Sequence, residues 1–320
     1  MPFMIYRRMA GLVTFTALVV GLGAAGGPAT AEVSARTRNL RLPGVAVTVH
    51  EKSGDRLVVT SYWLAGRTAM AYLRTSSSTF TEMAEYWRVA VSPDGRRALG
   101  AGSYLDDNGC ETFDVIDRRS GTVLHLSVPS VCKPLNGGYF AWSPDGTKAV
   151  QLVFKKKRTG FLTIDALKGT TRYVPLPNSY EDSYFTWTPD GVHVLAYDDA
   201  RLRFLRPDGK NVKTYSGLGV LAEGAHAFSP SGTRFVTYCP SSSGMCLWHT
   251  RTGKSAGRVG FPADDMYGWW DEKHLVVRKE TGKNFQAVVI DLSGKVTRVL
   301  ADIAASAVKK YSVDLDFTHR

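Results

Sequence analysis

"FAWSPDGTKAV", residues 140–150, has three companions in the same chain: "VAVSPDGRRAL" at 89–99, "FTWTPDGVHVL" at 185–195 and "AFSPSGTRFV" at 227–236. Apolar residues alternate ahead of each turn. Proline presets one turn dihedral, aspartate accepts backbone N–H bonds, and glycine takes the positive φ. A second alternating strand follows, such as Lys148 to Phe154. The unit therefore reads as a β-hairpin written four times. Pro93, Pro144, Pro189 and Pro230 fall in register at intervals of 51, 45 and 41 residues. A strand-rich repeat with a period near 40 is the spacing of propeller blades. A fifth, degenerate copy is "YGWWDEKHLVV" from Tyr267, with Trp269 where Trp142, Trp187 and Phe228 stand in the others. Its turn has lost both proline and glycine.

A second hairpin lies behind each of the five units, as in "FDVIDRRSGTVLHLSV", "FLTIDALKGTTRYVPL" and "AVVIDLSGKVTRVL". Each is a strand, a glycine-containing turn and a strand. Four strands make one blade, so five blades begin near Trp87, Tyr139, Tyr184, Ala225 and Tyr267. The C-terminal "YSVDLDFTHR" alternates like an inner strand without strands after it. The N-terminal part offers strands near Arg56–Leu64, Thr68–Arg74 and Phe80–Met83. Joined, they predict an all-β, six-bladed β-propeller whose ring is closed by N- and C-terminal segments sharing a blade. Gly44–His50 is an alternative source of a strand for that blade. The predicted organisation is a signal peptide over 1–31, an N-terminal segment over 32–54 and the propeller over 55–320.

The pattern aromatic-x-[ST]-P-D-G followed by an alternating strand resembles the TolB-type propeller repeats, relatives of the WD-type repeats, over about residues 87–302. The chain also resembles exported bacterial propeller proteins as a whole. The resemblance implies a fold and no activity, because such propellers serve as binding modules, enzymes and accessory domains alike.

The first residues bear on compartment. Arg7 and Arg8 precede an apolar run from Ala10 to Ala25, and Ala29-Thr30-Ala31 forms an A-x-A site before Glu32. This is the layout of a secretory signal peptide. An uncleaved anchor is the alternative, but the run is short and glycine-rich for a span of roughly 20 apolar residues. The G-x-G-x-x-G match at 21–26 lies inside this run. It lacks the strand and helix that would give it meaning. Cleavage would lower the formal charge from +11 to +9. A basic protein outside the membrane meets acidic proteins or anionic envelope polymers. No nucleic-acid motif is present. The expected location is therefore secreted or in the cell envelope, with no transmembrane segment in the mature form, and the expected state is monomeric.

Four cysteines in an exported chain suggest two disulfides. Cys239 and Cys246 flank a hairpin loop, Cys110 lies in the equivalent loop of the first blade, and Cys132 lies where the chain leaves that blade. In a propeller these two loop classes share one face, which favours Cys110–Cys132 and Cys239–Cys246.

The same topology sorts the charges. The face of the S-P-D-G turns and outer hairpin turns receives Arg96, Arg97, Arg118 and Arg119, with Lys148, Lys168, Lys210, Arg251, Lys254, Lys273 and Lys295. The opposite face receives Asp106, Asp107, Glu111, Glu181, Asp182, Asp198, Asp199, Asp264 and Asp265, with one basic exception at Lys155, Lys156, Lys157 and Arg158. Solvated turns account for such charges. An axial field that orients the protein against an anionic layer is the functional reading.

Asp94, Asp145 and Asp190, one per blade, read as turn caps. Asp106 and Asp107 carry oxygen ligands suited to calcium but lack the spacing of a calcium loop. No other cofactor is expected. There is no G-x-S-x-G elbow, H-E-x-x-H site or P-loop. The inner strands at Arg88-Val89-Ala90, Tyr139-Phe140-Ala141 and Phe185-Thr186 offer few acids or bases to the central channel. The reading is a noncatalytic ligand- or protein-binding scaffold. Its rival is a propeller hydrolase, lyase or lactonase with a metal in the channel.

Overall fold

Six antiparallel sheets follow one another along the chain in a computed structural model that describes residues 37–222, 226–240 and 243–319. The signal-peptide residues and the expected start at Glu32 lie outside the described residues. The first blade runs Tyr86–Val91, Arg97–Gly102, Cys110–Asp117 and Val123–Cys132. The second runs Asn136–Trp142, Lys148–Lys155, Lys157–Asp165 and Thr170–Pro175. The third runs Tyr184–Trp187, Val194–Tyr197, Arg201–Leu205 and Asn211–Ser216.

The turn chemistry is uniform. The hydroxyls of Ser92, Ser143 and Thr188 each donate to the Oδ1 of the aspartate two residues on, at 2.6 Å. Those aspartates accept the backbone N–H of Arg96, Thr147 and Val192 at 3.1, 3.1 and 3.0 Å. The turn glycine Gly95 sits at φ 73°, where a side chain would be strained. The repeated aspartates are thus turn caps. The fourth copy has Ser231 in place of aspartate, and its bond from Thr233 N–H lengthens to 3.4 Å.

The fourth blade departs from the expected four strands. Among the described residues it has three, Arg234–Tyr238, Met245–His249 and Ser255–Val259. Its innermost pairing is reduced to two separate bridges, Leu221 with Thr237 and Phe228 with Phe235.

Ring closure matches the sequence reading. The last strand, Ser312–His319, pairs antiparallel with Leu57–Ala65, which pairs with Ala69–Arg74 and then with Phe80–Glu82. Val313, Leu315 and Phe317 point into the core and are 3%, 2% and 6% exposed. They pack in one cluster with Val276, Val289 and Ala301 of the fifth blade. The segment Gly44–His50 does not enter the sixth blade. Val47–Lys52 instead adds to the outer strand of the fifth, with Val47 opposite Ile303, and Thr37–Arg41 adds beyond it. The fifth sheet therefore has six strands, and Val47 and Val49 bury against it. Covering an otherwise open strand edge is the physical return for this addition.

Packing between blades follows the repeat. Trp142, Trp187 and Trp269 are all buried. Trp142 Nε1 also donates to the Ala90 carbonyl of the preceding blade at 3.0 Å.

Both disulfides form as paired above, Cys110–Cys132 and Cys239–Cys246. Cys132 is the last residue of an outer strand, directly opposite Cys110, rather than in the loop beyond it. The sequence separations of 22 and 7 residues correspond to about 3 and 2 kcal/mol of loop-closure stabilisation. Such bonds form and persist in oxidising compartments. Among the described residues no helix is long and apolar enough to cross a membrane.

Candidate functional site

The inner strands converge on a narrow axial cavity of about 80 Å³, lined by Arg88, Tyr139, His226, Asp265, Asp314 and Asp316 among others. Arg88 comes from the first blade and is 1% exposed. Its guanidinium donates to Asp314 at 2.8 Å and to Asp316 at 3.1 Å, both on the closing strand. It also lies 4.3 Å from the Tyr139 ring centroid. Ser61 donates to the other Asp316 oxygen at 2.9 Å. Burial and the neighbouring Asp314 push the Asp316 carboxyl up, with Arg88 and Ser61 pulling it back. Near the acidic end of the axis, Arg278 spans Asp264 at 2.6 Å and Asp265 at 3.4 Å. Burial pushes the Asp265 carboxyl up despite that guanidinium. His226 Nε2 lies 2.5 Å from the Phe317 carbonyl, and burial lowers its pKa.

This overturns one sequence expectation. The axis is not poor in acids and bases, because Asp314, Asp316 and Asp265 come from strands other than the three considered and His226 from a turn of the fourth blade. A signal was present. In "VDLDF" the two aspartates occupy the face opposite Val313, Leu315 and Phe317, and "WRVAV" carries one cation in an apolar inner strand. A buried cation and a pair of acids on neighbouring inner strands need each other.

The chemistry of this cluster is that of a clasp. Both aspartates are already paired, and a cation entering here would compete with the Arg88 guanidinium. The cavity is also well below the roughly 300–1,000 Å³ of small-molecule pockets. Among the described residues no group of three or more His, Cys, Asp or Glu is arranged to hold a metal ion. Asp106 is engaged locally. It accepts the N–H of Asn108 and of Cys110, both at 2.9 Å, and the Ser127 hydroxyl at 2.7 Å. These bonds, the Ser127 bond first, hold its carboxyl below the usual range. Asp107 is exposed beside it.

The basic turn face divides into two kinds of residue. Arg96 and Arg119 are exposed, Arg96 with only a 3.8 Å pairing to Asp94. Arg97 and Arg118 are not free surface. Arg118 is half-buried and donates to the carbonyls of Gly95 at 2.7 Å and Arg74 at 3.0 Å, tying the first blade to the sixth. The four arginines therefore do not form one uniform exposed patch. On the opposite face, Lys155, Lys156 and Lys157 are exposed at a tight hairpin, with Lys157 Nζ 2.8 Å from Glu181. Arg158 follows in the strand Lys157–Asp165, its backbone opposite Phe154.

The acids of that opposite face are largely spent inside the molecule. Glu111 is buried and accepts the Gly137 N–H at 2.6 Å. Asp198 pairs with buried Arg203 at 2.9 Å, and Asp264 and Asp265 pair with Arg278. The expected acidic face is thus weaker than its sequence count. Arg119, Lys210, Arg251, Lys254, Lys273 and Lys295 on the turn face remain exposed without a carboxylate partner among the described residues.

No protein-family model matches the chain, and no curated protein does. Solved structures do resemble it. An oligogalacturonate lyase in complex with manganese gives a TM-score of 0.53 at 15% identity, over 82% of this chain and 84% of that one. A chain of the mitotic checkpoint complex gives 0.52 at 13% identity, over 95% and 99%. TolB from Acinetobacter baumannii gives 0.48 at 15% identity, over 84% and 67%. The six sheets form a six-bladed β-propeller, and the lyase and checkpoint-complex likenesses agree with that fold. At such identities they speak to fold alone.

Proposed function

We propose that this is a secreted, noncatalytic β-propeller that binds an anionic cell-envelope polymer through its S-P-D-G turn face. One observation carries the reading. Blades one, three, four and five each set exposed cations on that face with no carboxylate partner among the described residues, and the opposite face supplies few free acids to offset them. Exposed cations gathered on one face steer and orient a protein against polyanions. The two disulfides and the signal-peptide pattern support a location outside the cytoplasm. The axial cluster supports the noncatalytic part, since its acids are committed to Arg88 and Arg278.

Retention of the purified chain on phosphocellulose tests the proposal. Exposed charges are screened over about 8 Å at physiological ionic strength. The protein is expected to bind at low salt and to elute as sodium chloride rises. Passage through the column at the lowest salt would remove the basis of the reading.

A further inference from the structure

On the turn face, where the fifth, sixth and first blades meet, lies a cavity of about 250 Å³ lined by Arg38, Val58, Thr60, Arg74, Ser76, Ser77 and Arg118. Its three arginines have different fates. Arg74 is buried and neutralised by Glu51 through bonds of 2.5 and 2.9 Å. It also holds the serine loop in place, donating to the Ser76 carbonyl at 3.2 Å and to the Ser77 carbonyl. Arg118 has no carboxylate partner among the described residues. Only two of its five N–H donors are used, on the Gly95 and Arg74 carbonyls. Burial, and then the charge of Arg74, lower its pKa. Arg38 stands at the rim on the added strand Thr37–Arg41, exposed and without an ion pair among the described residues. Ser76 Oγ accepts the N–H of Ser78 and Thr79, which leaves its own hydrogen free to donate.

With Glu51 cancelling Arg74, the cavity keeps two uncompensated guanidinium groups and hydroxyl donors, and no free acceptor charge. A half-buried cation without a counter-ion is unfavourable, and an oxyanion would relieve it. We infer that this cavity is a binding site for one phosphate-type oxyanion, with Arg118 and Arg38 as its charged ligands and the Ser76 hydroxyl as a further donor. The inference rests on the turn-face reading above and names the anchoring point within it, a phosphate of the polymer. Two strands that the sequence left outside the ring acquire a role, because Arg38 reaches the site only through the extension of the fifth sheet.

Calorimetric titration of the full chain with inorganic phosphate, at an ionic strength held constant with sodium chloride, tests this. One phosphate is expected to bind per chain. R38Q is expected to weaken it about tenfold or more, the scale of one charge-assisted bond. R118K keeps the charge but loses the fork, and a comparable loss is expected. K155Q, which removes the same charge from the opposite face, is expected to bind as the wild type does. Because Arg38 is exposed and holds no partner among the described residues, R38Q reads the site even if Arg118 variants unfold. Equal weakening by R38Q and K155Q would overturn the site. Retention on phosphocellulose without phosphate binding would overturn the site while leaving the face reading intact, whereas failure of both would end both. Competition by polyphosphate supports a polymer as the source. Competition by phosphatidylglycerol vesicles without competition by polyphosphate would overturn it in favour of a lipid headgroup.

Discussion

A chain ending at Tyr311 should fail to form a soluble folded ring. The deletion removes the innermost strand of the sixth blade and with it the pairing from Ser312–Ala65 to His319–Leu57. It also exposes the surfaces that bury Val313, Leu315 and Phe317. Each such side chain contributes about 1.5–3 kcal/mol. Their sum alone rivals the roughly 5–15 kcal/mol by which a domain is stable. Leu57–Ala65 would present an unpaired edge beside an open channel, which invites aggregation. Expression followed by size-exclusion chromatography and thermal melting checks this. A monomer with the full-length melting temperature would show that the ring closes without its last strand.

Arg88→Met carries the second large effect. The substitution keeps the apolar volume but leaves Asp314 and Asp316 facing each other without their cation. Breaking one side of a buried ion pair costs about 3–5 kcal/mol. The effect should depend on pH with a defined sign. Burial first, then Asp314, raise the Asp316 carboxyl to about 6, while Arg88 and Ser61 pull it back. An unfolded aspartate releases its proton near 4. The folded state thus holds the proton more tightly, so this contribution is full below about pH 4 and is lost as pH rises through about 6. Removing Arg88 pushes that carboxyl higher still and enlarges the loss at neutral pH. Asp265 faces the same cavity and is raised by its burial, with Asp314 adding, so it shifts in the same sense. Melting temperatures of both proteins at pH 5 and pH 7.5 check the argument. The variant's deficit should be larger at pH 7.5, and equal deficits would show that the aspartates do not depend on Arg88.

The fold was legible because its signals are local. Four turns with one chemistry fix the register of four blades, and Val313, Leu315 and Phe317 mark the closing strand by simple alternation. The disulfides followed from loop classes that topology places on one face. What was not legible depends on which strands meet in space. Val47–Lys52 has the alternation of any strand, and nothing in its residues names the fifth blade rather than the sixth as its partner. Asp314 and Asp316 read as the solvent side of an alternating strand until Arg88 lies opposite them. Arg118 looks like Arg119 in sequence, yet one guanidinium ties two blades together and the other is free. The fourth blade's split inner pairing had no local mark beyond the serine that replaces its turn aspartate.

The claim that the turn face is the binding surface is tested most directly by two charge-matched variants on phosphocellulose. Arg96→Glu with Arg119→Glu alters exposed cations of the turn face. Lys155→Glu with Lys156→Glu makes the same change of charge on the opposite face. Neither pair touches the Arg88 clasp or the Arg118 tie. The turn-face variant is expected to elute at clearly lower salt than the wild type, with the hairpin variant close to the wild type. Elution of both variants at the same reduced salt would contradict an oriented surface and leave only net charge.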